Sequence, residues 1–327
     1  MFEFIKNIGI ITLLSTLFFI NIDAINPSPK ISRLEVSPNG KYLAASYSAK
    51  VAVDENNSPC NVFSVVDPGN IRKIFSLYTE CYILSEVVFS PNGKLLAIAT
   101  IDRLDNCSIL IFDTNNFILR NNIIIENFFS LCFLNDNTIV YGSVEGNIYV
   151  YDVISGLQLK NLSFSDGVDD AVDNISFSTN KKYIVASTLY DPYGDRKSHV
   201  RIFNFSTDIC IKELAFRENV INVLFSPDDK HLAVITENKV YLYSIKQNNT
   251  LEFYRRIIIP RGDYVTASAF SSINSDSRYF LTIGCKNTIR NFVFLNGDLI
   301  SLNKHDICSL GQSKISADGK IFDGYFN

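Results

Sequence analysis

The sequence predicts an all-β chain made by radial repetition of one four-stranded unit. Three observations carry this: a turn pattern that recurs about every 45 residues, hairpin chemistry inside each recurrence, and no segment of helical period long enough to interrupt it. The pattern first reads Leu34-Glu35-Val36-Ser37-Pro38-Asn39-Gly40-Lys41-Tyr42-Leu43-Ala44, then Val87-Val88-Phe89-Ser90-Pro91-Asn92-Gly93-Lys94-Leu95-Leu96-Ala97. It returns as LCFLNDNTIV from Leu131, ISFSTNKKYIV from Ile175, VLFSPDDKHLAV from Val223, SAFSSINSDSRYFL from Ser268 and SKISADGKIF from Ser313. The apolar residue before each turn marks seven copies, at Val36, Phe89, Phe133, Phe177, Phe225, Phe270 and Ile315, spaced 53, 44, 44, 48, 45 and 45 residues.

Each copy supplies strands a and b, because Asn-Gly and Asp-Gly accept the positive φ of tight hairpin turns between alternating apolar residues. A strand c is expected at Val62 to Val66, Ser108 to Phe112, Asn147 to Tyr151, Val200 to Phe203, Val240 to Tyr243 and Thr288 to Phe294. Strand d follows a polar turn such as Asp67-Pro68-Gly69-Asn70 or Asn296-Gly297-Asp298. After Ile315 only 12 residues remain, so the seventh unit is expected to lack strands c and d and to leave an open edge at strand b.

These residues resemble WD40 repeats over about residues 31 to 327. The turn F-S-P-D/N-G-K-x-L-A is matched in the first two copies and nearly in the fifth, and the aromatic-Asp end of strand c survives in Phe112-Asp113 and Tyr151-Asp152. The resemblance implies a seven-bladed WD40-like β-propeller with an incomplete seventh blade, acting as a protein or peptide scaffold. The chain has no Trp and no Gly-His dipeptide, so the Asp-His-Ser-Trp tetrad that braces such blades cannot form.

Size and charge bound the rest. With 327 residues, 47% hydrophobic and 20% charged, the chain can bury a sizeable core. Its 30 basic against 34 acidic side chains give a net charge of −4 without a Lys/Arg run, which argues against nucleic acid and anionic membranes as partners. Ile8 to Ile20 form an apolar run after Lys6, followed by Ala24, and read as a signal peptide over residues 1–24 that leaves a propeller of residues 25–327. A secreted or periplasmic protein is expected, with no stable membrane span after cleavage, since bilayer spans need about 20 apolar residues. The alternatives are a cytoplasmic chain or one anchored by residues 5–22.

In a meander the b-to-c and d-to-a loops share one end. Three b-to-c loops are long, Ser46 to Cys60, Ile101 to Asn106 and Leu189 to Ser198, and long loops on a rigid scaffold collect binding residues. The candidate binding residues are therefore Tyr190, Asp191, Tyr193, Asp195 and Arg196, with Asp169 and Asp170 from the loop Asp166 to Asp173. Arg261-Gly262-Asp263 adds Arg261 and Asp263, in a tripeptide that resembles an integrin-adhesion motif but, after Pro260, reads first as ordinary turn chemistry. The acidic loop matches no calcium-loop spacing, and no metal or cofactor is expected.

No catalytic residue is assigned. His199, His231 and His305 lie in different repeats, read as surface polar groups, and form no metal or nucleophile motif. The alternative function is a propeller hydrolase or lactonase at the central channel, for which Glu86, Asp173 and Asn222 at the starts of strands a are the candidates. Six Asn residues, 56, 106, 161, 174, 204 and 248, begin N-x-S/T triplets.

Seven cysteines leave at least one unpaired. In an antiparallel c-to-d hairpin, paired positions have a constant sum. The turn at Asn296-Gly297-Asp298 sets Cys285 opposite position 309, next to Cys308, and the turn at Pro68-Gly69 sets Cys60 opposite about 78, near Cys81. Disulfides Cys285 to Cys308 and Cys60 to Cys81 are expected, each worth about 3 kcal/mol by chain entropy, with Cys107, Cys132 and Cys210 reduced.

Overall fold

The computed structural model describes residues 31–49, 60–67, 72–79, 83–102, 106–164, 171–188, 197–246, 250–260, 262–272, 278–286, 288–306, 313–315 and 321–323. All regular structure in them is β, and they contain no helix long and apolar enough to cross a membrane. The strands group into antiparallel meanders of four, the blades of a β-propeller. Blade one is β1 (Ile31–Val36), β2 (Leu43–Ala49), β3 (Cys60–Asp67) and β4 (Arg72–Thr79). Blade two is β5 (Ile83–Phe89), β6 (Leu95–Ile101), β7 (Cys107–Asp113) and β8 (Leu119–Ile125). Blade three is β9 (Phe128–Asn135), β10 (Thr138–Ser143), β11 (Asn147–Asp152) and β12 (Gln158–Ser163), and blade four is β13 (Val172–Phe177), β14 (Tyr183–Thr188), β15 (Ser198–Asn204) and β16 (Cys210–Phe216). Blade five is β17 (Val220–Phe225), β18 (His231–Thr236), β19 (Lys239–Ile245) and β20 (Leu251–Ile258), and blade six is β21 (Val265–Ser272), β22 (Arg278–Cys285), β23 (Thr288–Leu295) and β24 (Asp298–Asp306).

The described blades number six, which corrects the expected seven. Among the described residues the seventh copy of the turn pattern gives the pair β25 (Ser313–Ile315) and β26 (Ile321–Asp323), with β25 beside β1. A repeated a-to-b hairpin is not a blade: two strands bury little until c and d extend the sheet. The chain divides into two compact units, one holding blades one and two with β25 and β26, the other holding blades three to six.

The turn chemistry explains why the sequence repeats. In blade one Ser37 Oγ donates to Asn39 Oδ1 at 2.8 Å and accepts the Tyr42 N–H at 2.8 Å, while Asn39 Oδ1 also accepts the Lys41 N–H. The same bonds join Ser90, Asn92, Lys94 and Leu95 in blade two and Ser178, Asn180, Lys182 and Tyr183 in blade four. Blade five repeats them with Ser226, Asp228, Lys230 and His231. The next residue sits at positive φ, as Gly40 (67°), Gly93 (68°), Lys181 (59°) and Asp229 (55°), where only glycine is unstrained. At the end of strand c, Asp113, Asp152 and Asn204 accept the N–H groups of the following turn, which is why an aromatic-Asp pair recurs there.

The core lies between blades. Strand b is buried along its whole length in blades three, four and five, matching its unbroken apolar runs, whereas strand d is largely exposed. Val140, Ile148 and Phe164 of blade three pack with Ile184, Ala186 and Phe203 of blade four, and the same contact recurs between blades four and five and between five and six.

Candidate functional site

In each four-stranded meander strands b and c are joined at the end opposite the a-to-b turn. Tyr190, Asp191, Tyr193, Asp195, Arg196, Asp169, Asp170 and Arg261 lie outside the described residues. Asp263 lies within them and is not displayed: it is 7% exposed and accepts a 2.6 Å hydrogen bond from Thr288 Oγ1. The carboxylate of the Arg-Gly-Asp tripeptide is thus part of the frame, because a turn residue two positions before strand a faces the start of strand c.

This frame was missed in the sequence. In blade five Glu218, just before β17, accepts from Thr236 Oγ1 at 2.9 Å, from Tyr241 OH at 3.0 Å and from Lys239 Nζ. Burial pushes the Glu218 carboxyl up, and the bonds from Lys239, Thr236 and Tyr241 outweigh it, so it sits below the ordinary range. In blade six Asp263 bonds Thr288, beside Cys285 and a buried Arg290 whose Nε has no hydrogen-bond partner among the described residues. Burial pushes the Cys285 thiol up to about 11, with the Asp263 charge adding to the rise. Blade three uses Asn127, which donates to Glu145 at 2.8 Å. In these blades a polar residue before strand a is thus joined to a polar residue at or just before the start of strand c, beside a Ser, Thr or Cys that ends strand b. The signal was present as Ser143, Thr188, Thr236 and Cys285, each the last residue of its strand b.

The first strands carry a second device. Each has one extra residue opposite strand b at the same place, Ser32, Ser85, Phe129, Asp173, Ile221 and Thr266, so all six blades share a β-bulge. In the second unit the residues at or beside the bulges stitch neighbouring blades. Ser130 Oγ donates to Val172 O at 2.7 Å, Asn174 Nδ2 to Val220 O at 3.3 Å, and Asn222 Nδ2 to Ser268 Oγ at 3.1 Å. Of the residues proposed for catalysis, Asn222 is engaged in this stitching and Asp173 accepts from Asn174 at 3.0 Å. Glu86 holds the equivalent position after the bulge in the first unit. Among the described residues no group of three His, Cys, Asp or Glu side chains is arranged to hold a metal ion.

The histidines divide. His199 is a surface group, its Nδ1 2.7 Å from Glu213 Oε1. His231 is not, which corrects the surface reading: it is 3% exposed, its Nδ1 lies 2.9 Å from Tyr279 OH, and its ring packs on Tyr254 and Phe294. Opening strand b of blade five, it fills the joint with blade six. Burial holds it below the ordinary histidine range and raises the Tyr279 hydroxyl well above its own. His305 lies on β24 opposite Ile289.

The expected register of blade six holds from Thr288↔Asp306 to Val293↔Ser301, but Cys285 belongs to β22, opposite Val265, and carries a free buried thiol. Cys308 lies outside the described residues, as do Cys81 and the Cys60 side chain. In blade one the pairing Asn61↔Thr79 departs from the expected register by two positions, across a bulge between Val65 and Val66.

The chain is thus a β-propeller by its blades. Residues 138–259, from β10 to just past β20, match a family model described as a family of unknown function (DUF5711). A comparison with curated proteins gives no match.

Proposed function

We propose that this chain is an exported, non-enzymatic propeller that holds a protein or peptide partner at the end of its blades where b passes to c and d to a. The observation that carries this reading is the contrast in connections. The a-to-b turns of blades one, two, four and five are closed by a fixed set of hydrogen bonds, whereas by sequence the b-to-c connections of blades one and four are long, and at the b-to-c end of blades five and six the starts of the strands are braced by Glu218 and Asp263. Rigid frames with variable loops are where binding surfaces form. The engagement of Asn222 and Asp173 in hydrogen bonds favours binding over catalysis on the first strands. Export rests on the apolar run Ile8 to Ile20.

The test is affinity capture from the extracellular or periplasmic fraction with the full chain and with a variant in which residues 189–198 are replaced by a tight turn. Partners present with the full chain and absent with the variant support the reading. Identical partners sink the assignment to this end, and a chain recovered from the cytosol with Met1 intact sinks export.

A further inference from the structure

The chain has three Asn-Gly pairs, all in described turns, and the fold treats one of them differently. Asn39-Gly40 and Asn92-Gly93 belong to the a-to-b turns of blades one and two, and Asn296-Gly297 joins β23 to β24 in blade six. All three asparagines are exposed, so access to solvent does not separate them. Hydrogen bonding does. Asn39 Oδ1 accepts from Ser37 Oγ and the Lys41 N–H, and Asn92 Oδ1 accepts from Ser90 Oγ and the Lys94 N–H. The glycine amides that follow are held too: Gly40 N–H donates to Ser37 O and Gly93 N–H to Ser90 O, each at 2.8 Å.

Asn296 and Gly297 instead form a two-residue hairpin turn, with φ of 53° and 96°, closed by the pair Leu295↔Asp298. Among the described residues the Asn296 side chain makes no hydrogen bond, and the Gly297 N–H donates none. The peptide unit between them is touched from blade five. Lys230 Nζ donates to Asn296 O at 3.1 Å, and the same side chain passes over Gly297. An ammonium held on a peptide oxygen stabilises the negative charge that the amide carries once its N–H is lost.

We propose that Asn296 is a site of spontaneous conversion to aspartate and isoaspartate, assisted by Lys230, and that the turn bonds of Asn39 and Asn92 protect them from the same reaction. Gly297 N gives its proton to solvent and bonds to Asn296 Cγ. The Cγ–Nδ2 bond breaks, and Nδ2 takes a proton from solvent and leaves as ammonia. Water then opens the cyclic imide at either carbonyl. Opening at the backbone carbonyl leaves isoaspartate, which adds a methylene to the backbone of a turn that has only two residues between Leu295 and Asp298. Either product places a new carboxylate beside Lys230, so a converted chain differs from a fresh one where blade six meets blade five. The site goes beyond the loop-end function above and does not depend on export.

The test is incubation of the purified full chain in heavy-oxygen water, in buffer and in guanidinium chloride, with peptide mass spectrometry following the replacement of NH2 by OH at each asparagine. In buffer Asn296 should convert about tenfold faster than Asn39 and Asn92, and in denaturant the three rates should converge. Lys230→Gln should slow Asn296 about fivefold in buffer and leave its rate in denaturant unchanged. Lys230→Arg, which keeps the charge, should keep the rate. Lys230 is exposed, so neither variant disturbs the core. Conversion of Asn39 or Asn92 as fast as that of Asn296 in buffer, an unreactive Asn296, or equal rates in Lys230→Gln and the native chain would overturn the proposal.

Discussion

The two ends of the blades solve the same problem, closing a hairpin, in opposite ways. At the a-to-b end one device serves blades one, two, four and five: a serine bonded to Asn or Asp two residues on and to the N–H five residues on. At the b-to-c end blades three, five and six each have their own, Asn127 with Glu145, Glu218 with Lys239 and Tyr241, Asp263 with Thr288. The first end is a local geometric requirement met by neighbours in sequence. The second joins residues about 20 apart, so any pair of complementary polar groups suffices, and the identities drift.

The largest effect is expected at Gly142, the residue before the end of strand b in blade three. A Cβ there would meet Ser130 Oγ and Val172 Cβ, each at 2.6 Å. Gly142→Ala should cost about 3 kcal/mol, read as a lowered midpoint in urea unfolding. A loss under about 1 kcal/mol would mean that blades three and four separate easily.

Next comes the individual brace. Glu218→Gln leaves the Lys239 ammonium without its carboxylate and should cost about 2 kcal/mol. At the shared end Ser226→Ala removes the acceptor for the His231 N–H and should cost about 1 to 2 kcal/mol, with Ser178→Ala similar. If Ser226→Ala proves the costlier, the ranking of the two ends is reversed.

A pH dependence follows from His231. Its folded pKa is lowered from 6.5, so folding favours the neutral ring, and the contribution is full above the unfolded value. Stability should fall as pH drops from 6.5 through the folded pKa, and His231→Asn should be less stable at neutral pH with a flatter profile over that window. Parallel profiles for the two proteins would show that another group drives the acid response.

The smallest effect is at Lys181, whose φ of 59° is the left-handed conformation that Gly40 and Gly93 occupy in their turns. Lys181→Gly relieves that strain while loosening the unfolded chain, for a net gain of about 0.5 kcal/mol. A loss would show that the Lys181 contact over the Phe177 ring, at 5.8 Å, outweighs the strain.

The sequence by itself determined the all-β class, the period, the position of strands a, b and c in each blade and the turn at their shared end. These rest on contacts within a few residues, and the same residues must recur wherever the same turn recurs. Phe112-Asp113 and Tyr151-Asp152 were legible for that reason. The tertiary structure decided the rest: six blades instead of seven, His231 in a joint instead of on the surface, and Asp263 in the frame instead of on display. Each depends on what lies opposite a residue across 20 to 50 positions of chain. The bulge on strand a is the clearest case, since it leaves no mark in composition, falls on Ser32, Asp173 and Ile221 alike, and appears only when strand b is laid beside it.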